Sequence, residues 1–292
     1  MPASKSPFER IAIVGVGMIG GSWGLALKRA GFQGRRVGCD RPEVLRRAAA
    51  MGALDESEED LRRAVAEAEL VILAAPVGAI LRLLPDLAPA VPPHALVTDT
   101  GSTKVTICRE ARRRFAGEPL FVGGHPLAGK ERSGIENADA ALFQGTVYVL
   151  SPEPQESLSD SRTRGLAALI AAAGARVLSV NPEEHDRAMA LLSHLPQLVS
   201  TGLASLAGER DDLPLALAAA GFRDMTRLAE SPYEVWRDIC ATNAGNIQHA
   251  LDALIAKLAF IRDHLSDAPL GGEFERAQRL REHLKNAETG DK

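Results

Sequence analysis

The chain has 292 residues, a formal net charge of -4, 46% hydrophobic and 25% charged residues; this length predicts two domains, and the weak negative charge excludes a general nucleic-acid-binding face. No apolar run approaches the ~20 residues needed to span a bilayer, and Met1 to Glu9 contains no signal-peptide core, so a cytoplasmic protein without a membrane partner is expected. Cys39, Cys108 and Cys240 have no Cys-x-x-Cys spacing and read as thiols in a reducing compartment, neither a disulfide framework nor a zinc site.

Ile11 to Val14 is an apolar run of strand length that leads into Gly15-Val16-Gly17-Met18-Ile19-Gly20, followed by a helical pattern closed by Gly31. Strand, Gly-x-Gly-x-x-Gly and helix in that order form the context of a dinucleotide fingerprint. Gly15 suits the tight turn, Gly17 the close approach of a pyrophosphate and Gly20 helix-strand packing. Met18 and Ile19 fall at the helix N-terminus, whose free N-H groups and positive dipole end favour phosphate. Arg36 to Asp40 forms a second strand ending in an acid about 20 residues past the last glycine. A carboxylate at Asp40 accepts from ribose hydroxyls and repels a 2'-phosphate, so NAD is expected as cofactor over NADP, a preference that Arg41 next door would soften.

The chain then alternates. Pro42 to Met51 and Ser57 to Glu67 read as helices, and Leu70 to Ala75 as a strand buried on both faces. Pro76 ends that strand where a nicotinamide ribose would pass. Val77 to Leu87 is helical and Ala95 to Thr98 is the next strand. Asp99-Thr100-Gly101-Ser102-Thr103-Lys104 opens another helix, with Ser102 or Thr103 as its N-cap. Ser102 has two readings, a cap alone or a hydroxyl facing the ligand crevice.

Leu120 to Val122 delivers a glycine-rich loop, Gly123-Gly124-His125-Pro126-Leu127-Ala128-Gly129-Lys130-Glu131. His125, held between Gly-Gly and proline, is either a structural histidine in a turn or a proton-transfer group that meets Ser102. Tyr148 to Leu150 and Arg176 to Val180 add strands around a helix at Leu166 to Ala173. The alternation implies an α/β, Rossmann-type doubly wound, mainly parallel sheet.

Beyond Val180 the patterns are helical. Asn181-Pro182-Glu183-Glu184 starts a helix with a cap, proline at N1 and acids in the first turn. It carries His185 and His194, nine residues apart, on roughly opposite faces of a straight helix, so they cannot share one metal there. Pro196 would kink that helix beside His194, which is either a site residue or a core or interface histidine.

Leu213 to Ala229 reads as one helix with Arg223 and Arg227 on one face, a solvated charged stripe or a carboxylate clamp. Ser231-Pro232-Tyr233-Glu234 is a capping box starting a helix to about His264, with Leu251, Leu254, Ile255, Leu258 and Ile261 as its apolar stripe. So much apolar helix surface suggests a dimer interface. Glu273 to Leu284 adds a last helix. The expected domains are residues 10-180, nucleotide-binding, and residues 181-292, all-helical and dimerising.

Gly123-Gly124-His125-Pro126-Leu127-Ala128-Gly129, Ser193-His194-Leu195-Pro196, and Phe222-Arg223-Asp224-Met225-Thr226-Arg227 followed by Trp236-Arg237-Asp238 resemble the motifs of the prephenate and arogenate dehydrogenases of tyrosine biosynthesis. The resemblance runs from Ile11 to about Leu258. It implies an NAD-dependent oxidoreductase, a small-molecule dicarboxylate substrate and a homodimer built through the helical domain. It also implies His125 as the catalytic histidine, Ser102 as the serine that orients it, Arg227 as the ring-carboxylate ligand and His194 as a second active-site histidine. Arg223 stands where some members have lysine, and Glu131 matches an acid near the pocket mouth. Prephenate against arogenate stays open, and two remoter readings remain: a β-hydroxyacid dehydrogenase, for which no matching lysine is found in the helical half, and a non-catalytic NAD-binding sensor.

Overall fold

The computed structural model describes residues 7–129, 133–152, 155–210 and 215–289, and the chain divides into two compact units, Met1–Ala244 and Gly245–Lys292. In the first, eight strands form one sheet: β1 (Arg10–Val14), β2 (Arg35–Cys39), β3 (Glu56–Glu58), β4 (Leu70–Leu73), β5 (Leu96–Asp99), β6 (Leu120–Pro126), β7 (Val147–Pro152) and β8 (Arg176–Ser179), in the order β3-β2-β1-β4-β5-β6-β7-β8. The first six run parallel; β7 pairs antiparallel with β6, placing His125 opposite Val149, and β8 runs parallel to β7. The strand order reverses direction between β1 and β4, which opens a ligand crevice at their C-terminal ends.

Helices cover both faces: α1 (Met18–Arg29), α2 (Pro42–Ala50), α3 (Leu61–Val65), α4 (Val77–Leu87), α5 (Val105–Phe115) and α6 (Ser161–Ala172). Strand residues alternate between them. Ile11, Ile13, Leu70 and Ile72 join Trp23, Leu27, Leu166 and Ile170 on one side, while Ala12, Val14, Val71 and Leu73 join Ile80, Leu84, Ile107 and Ala111 on the other. Two buried faces explain why these strands read as continuous apolar runs. Trp23 packs at 5.3 Å on Phe143 and edge-on at 5.7 Å on Tyr148, fastening β7 to α1.

Several local expectations need correction. Ser57 to Glu67 is not one helix: Glu56–Glu58 pairs in parallel with β2 before the short α3 begins behind its Asp60 cap. The glycines before His125 do not form a loop but continue β6, because β7 returns along them and takes up their backbone groups. Neither Ser102 nor Thr103 caps α5; its N-cap position is Lys104, which has no side-chain cap of its own.

The helical stretch after Val180 begins with α7 (Pro182–Met189), capped by Asn181 through Glu184 N-H at 2.8 Å, and continues into α8 (Leu195–Gly208). The two do not form one straight helix, as the opposite-faces argument assumed. A π turn spans Ala190–His194, with Leu195 N-H bonded to Ala190 O, immediately before the proline that lacks an N-H. One extra residue per turn removes roughly 100° of rotation, so His185 and His194 come round to the same side. The predicted helix from Leu213 to Ala229 is a 3-10 turn (Leu215–Leu217), α9 (Ala220–Thr226) and a second 3-10 turn (Arg227–Glu230) over its described part. The predicted long helix starting at Ser231 is broken at Asn243 into α10 (Tyr233–Thr242) and α11 (Ala244–Asp263). Ser231 does not cap it either; its Oγ accepts from the Trp236 indole at 2.9 Å.

Within the first unit, this helical stretch docks on the sheet edge through carboxylates set on helix ends. Asp186 of α7 accepts from the backbone N-H groups of Lys104 (2.7 Å) and Val105 (2.9 Å) at the start of α5. Asp238 of α10 accepts from Gly78 N-H at 2.9 Å at the start of α4. Each supplies the acceptor that those N-termini lack and favours their positive dipole end. In the second unit α11 and α12 (Pro269–Thr289) are joined by a Lys257–Glu273 ion pair at 2.9 Å.

Asp238→Ala removes one of these caps from a distance in sequence. It should lower the unfolding free energy by about 1 kcal/mol, as loss of a capping oxygen does, read as a lower urea midpoint with an unchanged far-UV spectrum.

Candidate active site

The site is built from the end of β5. Asp99 Oδ1 accepts from Gly124 N-H at 3.0 Å, while Oδ2 accepts from Gly101 N-H at 2.8 Å and from the ammonium of Lys104. Lys104 Nζ also donates to Gly124 O at 2.8 Å. Both charged side chains are fully buried, so each depends on the other and on these backbone partners. Gly124 is required here: a Cβ would stand 2.4 Å from Asp99 O. The peptide groups just before His125 are thus held from both sides.

His125 Nδ1 lies 2.8 Å from His185 Nε2, and His185 Nδ1 lies 2.8 Å from Asp186 Oδ1. His185 and Asp186 are 2% and 1% exposed. Asn243, at the break between α10 and α11, donates to Asp186 O at 2.7 Å, and its Nδ2 is 3.2 Å from His194 Nδ1. The His194 ring meets Trp236 edge-on at 5.9 Å. Desolvation, and then the neighbouring His185, Lys104 and His194, hold the His125 imidazole well below its ordinary range. Burial likewise pushes His194 down to about 4, with Asp186 opposing and His185 reinforcing. Both rings are neutral at pH 7, and a neutral imidazole can accept a proton.

The sequence-predicted residues fall unevenly around this centre. His194 and His125 are brought into one network, through His185, Asp186 and Asn243. Ser102 is half-buried in the turn after β5, but no hydrogen bond joins it to His125 among the described residues; His185 takes that position. Arg227 is exposed at the start of its 3-10 turn, which Gln197 of α8 holds through Leu228 O at 2.8 Å. Arg223 is exposed on α9, its Nε on Ala218 O at 3.1 Å. Glu131 lies outside the described residues. Sequence reasoning missed the roles of His185, Asp186, Asn243 and Lys104; the one local signal was a His-Asp pair set in the first turns of a well-capped helix.

At the C-terminal ends of β1, β2 and β4, on the same sheet edge and with β4 and β5 between β1 and β6, the glycine loop forms a cleft of roughly 480 Å³ whose lining includes Gly15, Gly17, Asp40, Arg41 and Pro76. Gly15 has φ +87°, and a Cβ at Gly20 would come within 1.9 Å of Gly15 O, so both glycines are dictated by the protein itself. A Cβ at Gly17, just before Met18 and Ile19 at the start of α1, would meet nothing within 4 Å outside its immediate chain neighbours. Asp40 is oriented by Val16 N-H and Arg41 N-H, both at 2.7 Å, while the Arg41 guanidinium reaches Glu43 at 3.4 Å. An open pyrophosphate cradle and a fixed acid at the end of β2 fit a dinucleotide.

The doubly wound sheet and this cleft define a dinucleotide-binding protein. Residues 23–179 match the family model of the prephenate dehydrogenase nucleotide-binding domain, and residues 181–286 match that of the prephenate dehydrogenase dimerization domain. The chain belongs to the prephenate dehydrogenase family. It is 34% identical to the prephenate dehydrogenase of Bacillus subtilis, over 96% of this chain and 74% of that protein. It is 32% identical to the cyclohexadienyl dehydrogenase of Zymomonas mobilis, over 96% of this chain and 94% of that one. Its structure matches that of prephenate dehydrogenase from Aquifex aeolicus, solved with hydroxyphenyl propionate and NAD+, with a TM-score of 0.87 and 28% identity over 94% of this chain and 98% of that one. These matches set aside the β-hydroxyacid dehydrogenase expectation.

The neutral histidines tie stability to pH. Their native-state values lie below the ordinary 6.5, so below pH 6.5 the unfolded chain binds protons that the native state refuses. Stability is therefore full above about pH 6.5 and falls as the pH drops toward 4, with His194 alone contributing about 3 kcal/mol to the loss. Urea unfolding at a series of pH values should show this fall, and His194→Gln should flatten it.

Proposed function

We propose that the chain catalyses the NAD-dependent oxidative decarboxylation of prephenate to 4-hydroxyphenylpyruvate, a step of tyrosine biosynthesis. The observation that carries this reading is His125, neutral and set on the same sheet edge as a dinucleotide cleft, in a chain whose two halves both match the family. Bound along Gly15, Gly17, Met18, Ile19, Gly20, Asp40 and Pro76, NAD supplies the hydride acceptor. Residues 10-180 serve the nucleotide, and residues 181-292 serve dimerisation and substrate binding.

His125 accepts a hydrogen bond from the ring hydroxyl of the substrate and takes its proton as hydride leaves the same carbon. The ring carboxylate, opposite that carbon, then departs as CO2, driven by aromaticity. Ser102, half-buried in the turn after β5, orients the substrate hydroxyl, while the imidazole is held by His185. Arg227 receives the ring carboxylate, with Arg223, Glu131 and His194 completing the pocket. Arg227 acts by positioning, because extra stabilisation of the carboxylate in the ground state would oppose its loss.

A homodimer through the helical region is part of this reading. It is supported by Ile255, Leu258, Phe274 and Leu280, each more than half exposed on α11 and α12. Arogenate, or both substrates, is the second reading, favoured by the likeness to the cyclohexadienyl enzyme. NADH formation with prephenate and arogenate in parallel, each with NAD and NADP, separates the two and also a non-catalytic sensor, which would bind NAD without turnover.

His125→Asn should lower kcat by about a hundredfold or more, a general-base loss, with substrate and NAD binding little changed. Near-normal turnover in that variant would remove the role given to the histidine. Arg227→Ala should instead act mainly on KM for the dicarboxylate, in steady-state assays at saturating NAD.

A further inference from the structure

His125 cannot act as a base at Nε2 unless its own proton sits on Nδ1, and the residues behind it determine where that proton goes. The direction of each hydrogen bond follows from its partners. The Asp186 carboxylate can only accept, and it already accepts from the Lys104 and Val105 N-H groups. The 2.8 Å contact with His185 Nδ1 therefore requires a proton on that nitrogen. In the neutral tautomer that this contact selects, His185 presents only a lone pair at Nε2, and the 2.8 Å contact to His125 places an N-H at His125 Nδ1. This leaves Nε2 bare. The three groups are buried or half-buried, with Lys104, Asp99 and His194 the other titratable groups around them.

We propose that Asp186 and His185 are positioning residues that set the tautomer of His125, so that its Nε2 lone pair faces the substrate hydroxyl. The role rests on the prephenate reading only for its kinetic consequence; the tautomer itself is a property of the free protein. During turnover the hydroxyl proton passes to His125 Nε2 as the carbon-hydrogen bond breaks. It returns to the ring oxygen when the carbon-carboxylate bond breaks and its electron pair enters the ring, so the histidine ends unchanged. While His125 is charged, its Nδ1-H points at His185, whose own N-H points at a carboxylate, so the chain of dipoles is already oriented toward the transient cation.

The test is nitrogen-15 NMR of histidine-labelled, ligand-free protein together with steady-state kinetics. In the unaltered protein His125 should show a protonated Nδ1 and a bare Nε2. His185→Leu, which leaves the Asp186 cap on α5 intact, and Asp186→Asn should both disturb that pattern. Both should cut kcat about a hundredfold or more, as a wrong tautomer does, with little change in KM or NAD affinity. His185→Gln, whose amide oxygen still accepts from His125, should recover most of the turnover lost in His185→Leu. A proton on His125 Nε2 in the unaltered protein, or an unchanged kcat in His185→Leu, would overturn the proposal. Absence of prephenate turnover in the unaltered protein would defeat the proposed reaction, while the NMR result would still decide the tautomer.

Discussion

The arrangement of the site depends on one buried carboxylate. Asp186 sits on a helix that belongs, by sequence, to the second half of the chain, yet its oxygens close the N-terminus of α5 in the nucleotide-binding half. Its backbone carbonyl accepts from Asn243, and its side chain holds His185, which holds His125. A carboxylate buried without partners would be costly; one that accepts three N-H groups, two of them at the positive end of a helix, is well placed. Because every one of those partners is itself part of the site's frame, a shift in any of them would be felt at the imidazole.

A second buried charge pair supports the strand that carries the same ring. Asp99 and Lys104 lie at the two ends of the turn between β5 and α5, and both engage Gly124. Such a pair contributes little net stability compared with apolar packing, but removing either partner strands the other. Its structural effect is to pin the strand that carries His125. Its electrostatic effect is to place an ammonium near the imidazole, which helps keep His125 neutral. The same cation is balanced by Asp99 and so adds no net charge to the pocket.

What could be read from the sequence was what is encoded locally. The glycine fingerprint, the acid at Asp40 and the strand-helix alternation depend on neighbours within about one supersecondary unit, and the structure shows each of them. Strand boundaries near His125 were not legible, since two glycines resemble a loop until an antiparallel neighbour takes their hydrogen bonds. The α5 cap was not legible because its acceptor lies 82 residues downstream of Lys104. Ser102 and Thr103 looked like caps for the sound reason that such residues usually are. Here Thr103 instead pairs with Thr242 at 2.8 Å.

The meeting of His185 and His194 shows why helical periodicity misled. Counting nine residues at a constant angle separates them, and that count is right for any regular helix. Pro196 breaks the regularity, since it cannot donate to Leu192 O. The chain answers with a π turn that ends at His194. Local irregularity of this kind costs stability and persists where surrounding contacts over-determine it. The contacts are present: Asn243 bonds both Asp186 O and His194, and Trp236 closes on the His194 ring. The helix break at Asn243 meets the same network, since its amide donates to Asp186 O and lies near His194 Nδ1. Two helix irregularities, one beside a proline and one at an asparagine, therefore converge on the residue whose carboxylate orders the site.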